Sequence, residues 1–288
     1  ALTCLEMFSE SAEATVNFMN DHIPHLIQVT LNILREYRKY PDLCDLSAAV
    51  IYNIIDHRPK LLAKHNLVVP LLSCLIEIMS KFEENTPLFQ YGGNDDEDED
   101  DDANADAATD YDEDDKEMST RIQYIVDRMS IKIASKHFTQ PALNHVSQCL
   151  QQPDSKLKRA GVAVLAVIIE GSCDALKPLL GNILPAVLQL VEDADASCRE
   201  CACFAIAQFA EFCNPQITYH SDAILSTMVK YMQITANYDN NVAMDSKGKK
   251  SLLKSIEIGG YVLETYIENL LDTLFTPYLN DFMAVIDV

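Results

Sequence analysis

The chain has 288 residues, with 44 acids against 22 Lys and Arg and a formal net charge of −22. That balance disfavours a protein built to grip nucleic acid or an anionic membrane through basic side chains. Eight glycines, no Trp and no GxGxxG or GxxxxGK[ST] motif leave little material for cradling nucleotide phosphates. Hydrophobic residues make up 48% of the sequence, enough for a core, so the acid excess calls for a local explanation. It has one: residues 95 to 115 hold fourteen acids and no base, which leaves 30 acids against 22 bases elsewhere. The longest apolar run, Val162 to Ile169, is far shorter than the roughly twenty residues that span a bilayer. No basic n-region followed by an apolar h-region opens the chain, so the expectation is an intracellular protein.

In chain order, residues recur at helical spacing from Ile23, Leu26, Ile27, Thr30, Leu31, Ile33 and Leu34 to Ile183, Leu184, Val187, Leu188 and Val191. The fold class expected is all-α. A fixed offset of 41 runs beneath the pattern, setting Asp154 against Asp195, Lys158 against Arg199, Leu165 against Ile206 and Glu170 against Glu211. Each unit reads as a helix pair, the first helix opening after an Asp and the second carrying a proline in its first turn, as in Ile183-Leu184-Pro185. That proline slot falls at Pro24, Pro70, Pro141, Pro185, Ser226 and Pro277, at intervals of 46, 71, 44, 41 and 51. Three of the intervals match the period of about 40–47 residues of HEAT or armadillo units. The expectation is an α-solenoid of about six antiparallel helix hairpins, each burying its apolar face on its neighbours.

The two long intervals imply insertions. Residues 1–90 hold about two repeats, 91–118 form an acidic loop, and 119–288 hold about four repeats with a second, Lys-containing loop at 236–250. Both ends fall inside helical patterns without a polar capping face, so a piece of a longer solenoid is expected. The acidic loop contains Asp95, Asp96, Glu97, Asp98, Glu99, Asp100, Asp101 and Asp102, then Asp112, Glu113, Asp114 and Asp115. Self-repulsion keeps such a run solvated, as a solubilising segment or as a polyanion acting on a basic partner.

Thirteen to fifteen residues before each proline slot stands an acid: Glu10, Asp56, Asp127, Glu170, Glu211 and Glu264. Each falls near the C-terminal end of a first helix, where the helix dipole disfavours negative charge. Equivalent positions of a solenoid form a stripe, and a line of carboxylates suits an extended basic peptide. The competing reading is structural: these acids cap second helices or pair with nearby Lys and Arg. Capping suits Asp56, which precedes His57-Arg58-Pro59, better than it suits the glutamates.

Nine cysteines scattered through helical patterns read as reduced core thiols. Cys198, Cys201 and Cys203 lie near 0°, 300° and 140° around one helix and cannot converge on one ion, so no metal is expected. The seven His have no nucleophile or ligand pattern around them. Neither a cofactor nor an enzyme activity is expected.

Three stretches carry a family resemblance: Ile125-Val126-Asp127-Arg128-Met129, Lys158-Arg159-Ala160-Gly161-Val162 through Ile169-Glu170-Gly171, and Arg199-Glu200-Cys201 through Ala207-Gln208-Phe209. In order and spacing they resemble consecutive HEAT repeats of the karyopherin-β (importin-β) nuclear transport receptors, nearest the importin-four and importin-five subgroup. An acidic loop before the Val-Asp-Arg-Met helix belongs to the same pattern. The resemblance implies a receptor in cytoplasm and nucleus, monomeric, with no direct nucleic-acid or membrane contact. It implies basic cargo bound through nuclear-localisation signals, ribosomal proteins and histones being the family's kind of cargo. It also implies release by the GTP form of Ran and passage through Phe-Gly nucleoporins. Asp127, Glu170 and Glu211 match the family's signal-binding acids by position; Glu264 and Asp56 follow less closely. The alternative is a HEAT scaffold subunit without Ran-dependent transport.

Overall fold

The structure is a computed structural model describing residues 20–37, 39–82, 113–239, 246–269 and 272–286. All regular structure among these residues is helical, as the periodicity predicts. Glu10 and the acidic run from Asp95 to Asp112 lie outside them. The chain divides into two compact units, residues 1–142 and 143–288.

The first unit contains α1 (Ile23–Glu36), α2 (Pro41–His57), α3 (Pro59–Lys64), α4 (Val68–Met79), α5 (Glu113–Lys132) and the start of α6 (Ser135–Leu150). Helix α1 buries Ile23, Leu26, Ile27, Leu31 and Leu34, one face at helical spacing, while Thr30 satisfies its hydroxyl by donating to the Leu26 carbonyl at 2.9 Å. Helices α1 and α4 pack together, and so do α2 and α5. Ile51, Ile54 and Ile55 of α2, with Ile122, Ile125, Val126 and Met129 of α5, are buried. The short α3 ends in a Schellman motif: Asn66 takes φ 55°, Leu67 N–H donates to Leu62 C=O, and Asn66 N–H donates to Ala63 C=O. Asn tolerates the left-handed region that β-branched residues avoid, so the chain can turn straight into α4.

The second unit contains the rest of α6, then α7 (Ser155–Leu176), α8 (Leu180–Val191), α9 (Ala196–Phe212), α10 (Ser221–Asp239), α11 (Ser246–Glu268), α12 (Asp272–Phe275) and α13 (Leu279–Ile286). Two layers result, since α9 packs against both α7 and α11, and α10 packs against both α8 and α13. A 3-10 turn introduces the second helix of each pair, at Lys177–Leu179, Gln216–His220 and Thr276–Tyr278. The 41-residue offset is visible in the caps. Asp154 accepts from Lys156 N–H and Asp195 from Cys198 N–H, both at 3.0 Å, so each Asp fixes the start of a first helix. Gly161 is required by close approach, because a Cβ there would lie 2.6 Å from the Cys149 Cβ.

Three boundary expectations need correction. Pro24 and Pro70 do sit in the first turns of α1 and α4, but Pro141 and Pro185 lie inside α6 and α8, one turn deeper. The turn ahead of each is helical even though the proline cannot donate back to it. The helix after the acidic insertion starts at Glu113, not after Met118. Buried Met118 and the Arg121–Glu117 pair at 2.8 Å anchor that turn, and acids are favoured at a helix start. Within the expected loop 236–250, α10 runs to Asp239 and α11 resumes at Ser246.

Candidate functional site

The carboxylates singled out by the repeat divide by environment. In the first unit Asp56, one residue from the end of α2, accepts from Arg128 and from Lys132, the latter at 3.0 Å, and its side chain is 22% exposed. Hydrogen bonding from Lys132, joined by Arg128, holds its carboxyl below the usual carboxylate range against the opposing effect of burial. Asp56 is therefore not the cap of α3; the residue at that cap is Arg58, which makes no side-chain cap bond. Asp127 is half-buried on α5, and its backbone carbonyl accepts from the Ser130 hydroxyl at 2.7 Å.

In the second unit Glu170 on α7, Glu211 on α9 and Glu264 on α11 are all exposed. They stand on neighbouring helices of one layer. None of the three makes an ion pair or side-chain hydrogen bond with another described residue. Other acids of this unit are tied down. Asp193 accepts from Lys158 at 3.1 Å and from Asp195 N–H at 3.0 Å, Glu200 holds Lys254 at 2.7 Å, and Glu192 holds Lys230 at 3.1 Å. Arg199, the repeat equivalent of Lys158, donates to the Asp193 and Ala194 carbonyls. These bridges stitch successive repeats together, the structural role weighed for the acid row; in this unit other acids perform it.

Two features of the first unit escape a reading based on acids alone. Tyr52 of α2 and Tyr124 of α5 stack with ring centroids 5.0 Å apart, and the Arg128 guanidinium lies 5.4 Å from the Tyr52 centroid. Tyr124 stays 58% exposed. The 71-residue interval hides their relation, since Tyr52 and Tyr124 are equivalent positions only once the insertion is removed.

Cys198, Cys201 and Cys203 are each buried in α9 or at its start. Burial pushes the Cys198 thiol up to about 12, and it raises the other two as well. Among the described residues no group of three His, Cys, Asp or Glu is placed to hold a metal ion, and no helix is long and apolar enough to cross a membrane.

Stacked antiparallel helix pairs of this length, capped by Asp at a fixed offset, define an α-solenoid of HEAT type, and a HEAT-repeat family model matches residues 183–213. Over 234 residues the chain is 23% identical to Importin-4 of Mus musculus, covering 81% of this chain and 21% of the mouse protein. Kap121p bound to RanGTP has the same fold over 99% of this chain and 25% of its own, with a TM-score of 0.75 and 15% identity. Kap121p with two aspartates and a glutamate replaced by lysine superposes equally well, at 14% identity. The chain is similar in sequence to an importin and in fold to a karyopherin, and it spans about one fifth of the length of the importin it matches.

Proposed function

We propose that this chain is part of a nuclear transport receptor in which exposed carboxylates on successive first helices hold the lysines of a basic nuclear-localisation signal. The observation that carries the reading is the contrast within the second unit. Glu170, Glu211 and Glu264 are exposed on adjacent helices without a cation among the described residues, whereas Glu192, Asp193 and Glu200 each hold a lysine. Exposed acids near helix C-termini gain nothing from the helix dipole, and a cationic ligand supplies the missing partner. Asp127 holds the equivalent repeat position in the first unit, where Asp56 already holds two cations and falls outside the reading.

Kap121p supports the same positions. The residues replaced by lysine in its triple variant are 43 and 42 apart, and Asp127, Glu170 and Glu211 are 43 and 41 apart, acid for acid. Kap121p has also been solved with RanGTP, Pho4p and Nup53p. By analogy the longer receptor takes basic cargo of the histone or ribosomal-protein kind, releases it to Ran-GTP, meets Phe-Gly nucleoporins and shuttles between cytoplasm and nucleus. The acidic run at 95–112 is a second polyanion for the same basic partners.

An exposed ion pair contributes under about 1 kcal/mol, so affinity depends on several acting together and falls with salt. The E170K/E211K double variant should bind a labelled lysine-rich peptide at least about tenfold more weakly in fluorescence anisotropy, with an unchanged circular-dichroism melt. Unchanged affinity in that variant would sink the carboxylate row and favour a HEAT scaffold that holds folded partners.

A further inference from the structure

The first unit contains a worked example of cation binding by its own side chains. On α2, Tyr52 stands one turn before Asp56, and together they hold Arg128: the carboxylate pairs with the guanidinium, which lies 5.4 Å from the Tyr52 ring centroid. A tyrosine and an acid one helical turn apart lie on the same face, so a single cation can meet the ring and the carboxylate at once.

The same pairing recurs twice at acids of the row. On α5, Tyr124 precedes Asp127 by three residues and is 58% exposed, and Ile131, four residues after Asp127, is 42% exposed. Tyr52 stacks on one face of the Tyr124 ring and orients it, the interplanar angle being 13° and the hydroxyls 3.5 Å apart. On α11, Tyr261 precedes Glu264 by three residues and is oriented by stacking against Phe204 at 6.3 Å, and Ile267, three residues after Glu264, is 37% exposed. The middle acids lack the arrangement, because Val167 precedes Glu170 and Gln208 precedes Glu211 at that spacing.

An aromatic ring, exposed at Tyr124 and half-buried at Tyr261, and an exposed isoleucine on either side of a carboxylate suit one side-chain chemistry: a long apolar stem ending in a cation. Lysine is that side chain, its four methylenes covering apolar surface while the ammonium reaches the acid. We propose that Tyr124 with Asp127, and Tyr261 with Glu264, are two lysine seats, specified by ring and stem contact as well as by charge. The middle acids then act by charge alone. This rests on the carboxylate-row reading above and adds residues that reading does not include.

The test uses the 288-residue chain and a fluorescein-labelled peptide of lysines separated by Gly and Ser. Y124L and Y261L should each weaken binding about two- to fivefold, the size of an exposed cation–π contact, whereas Y124F and Y261F, which keep the ring, should bind as wild type. Thermal melts of all four should overlay, and the two positions give independent readings should either variant fold poorly. Leucine variants that bind like wild type, while E170K/E211K binds weakly, would remove the seats and leave the row standing. Equal losses for leucine and phenylalanine would point to the hydroxyls and overturn the ring contact. Wild-type binding by E170K/E211K as well would end both readings.

Discussion

Asp56 of the first unit and Glu211 of the second occupy the same repeat position, each one residue from the end of a first helix, yet one is sequestered and the other open. The difference lies on the next first helix. For Asp56 that helix is α5, which offers Arg128 and Lys132, one and five residues beyond the equivalent acid Asp127. For Glu211 it is α11, where the same offsets from Glu264 give Thr265 and, just past the helix end, Asn269; for Glu170 it is α9, where they give Phe212 and, in the turn beyond, Gln216. An acid at this position is thus structural or available according to whether the following repeat supplies a cation. Its position along its own helix does not decide the matter.

The largest way to break this comparison is to remove the sequestered acid. Asp56→Ala leaves Arg128 and Lys132 facing a half-buried position without their carboxylate. A loss of about 1–2 kcal/mol in urea unfolding is expected, between the values for exposed and buried pairs. Peptide affinity should stay within about twofold of wild type, since Arg128 and Lys132 already neutralise the Asp56 carboxylate. The stability gap should also depend on pH. The Asp56 carboxyl is lowered in the fold, so its contribution is complete above the unfolded value of about 3.9 and disappears as pH falls through the folded value. Wild type and Asp56→Ala should therefore differ fully near neutral pH and converge below about pH 4. A gap that persists in acid would mean that the substitution acts through packing.

Much of this was legible in the sequence. The 41-residue offset gave the layers of the second unit, because Asp154 and Asp195 do cap α7 and α9, and the apolar spacing of α1 gave its buried face. The start of α5 was hidden because Glu113 to Asp115 read as more of the acidic run, although Met118 and the Glu117–Arg121 spacing behind them belong to a helix. Prolines marked the repeats faithfully but misplaced two helix starts, since Pro141 and Pro185 are tolerated beyond the first turn. The fate of Asp56 was hidden for a different reason. Its partners are 72 and 76 residues away, across the insertion, and only an alignment of α2 against α5 with the insertion removed brings Arg128 beside it.

The smaller effect comes from transplanting the cation. Thr265 of α11 occupies the position that Arg128 occupies on α5, and it is half-buried with its hydroxyl donating to the Tyr261 carbonyl at 2.9 Å. Thr265→Arg gives Glu211 the kind of partner that Asp56 has. An exposed pair contributes at most about 1 kcal/mol, so the expected cost is about two- to fivefold in lysine-peptide affinity. Because the new arginine competes through charge, raising salt should narrow the gap between Thr265→Arg and wild type even as both bind more weakly. Thr265→Gln controls for size and should bind as wild type. If Thr265→Arg also binds as wild type, the next helix does not govern whether Glu211 is available, and the contrast with Asp56 needs another cause.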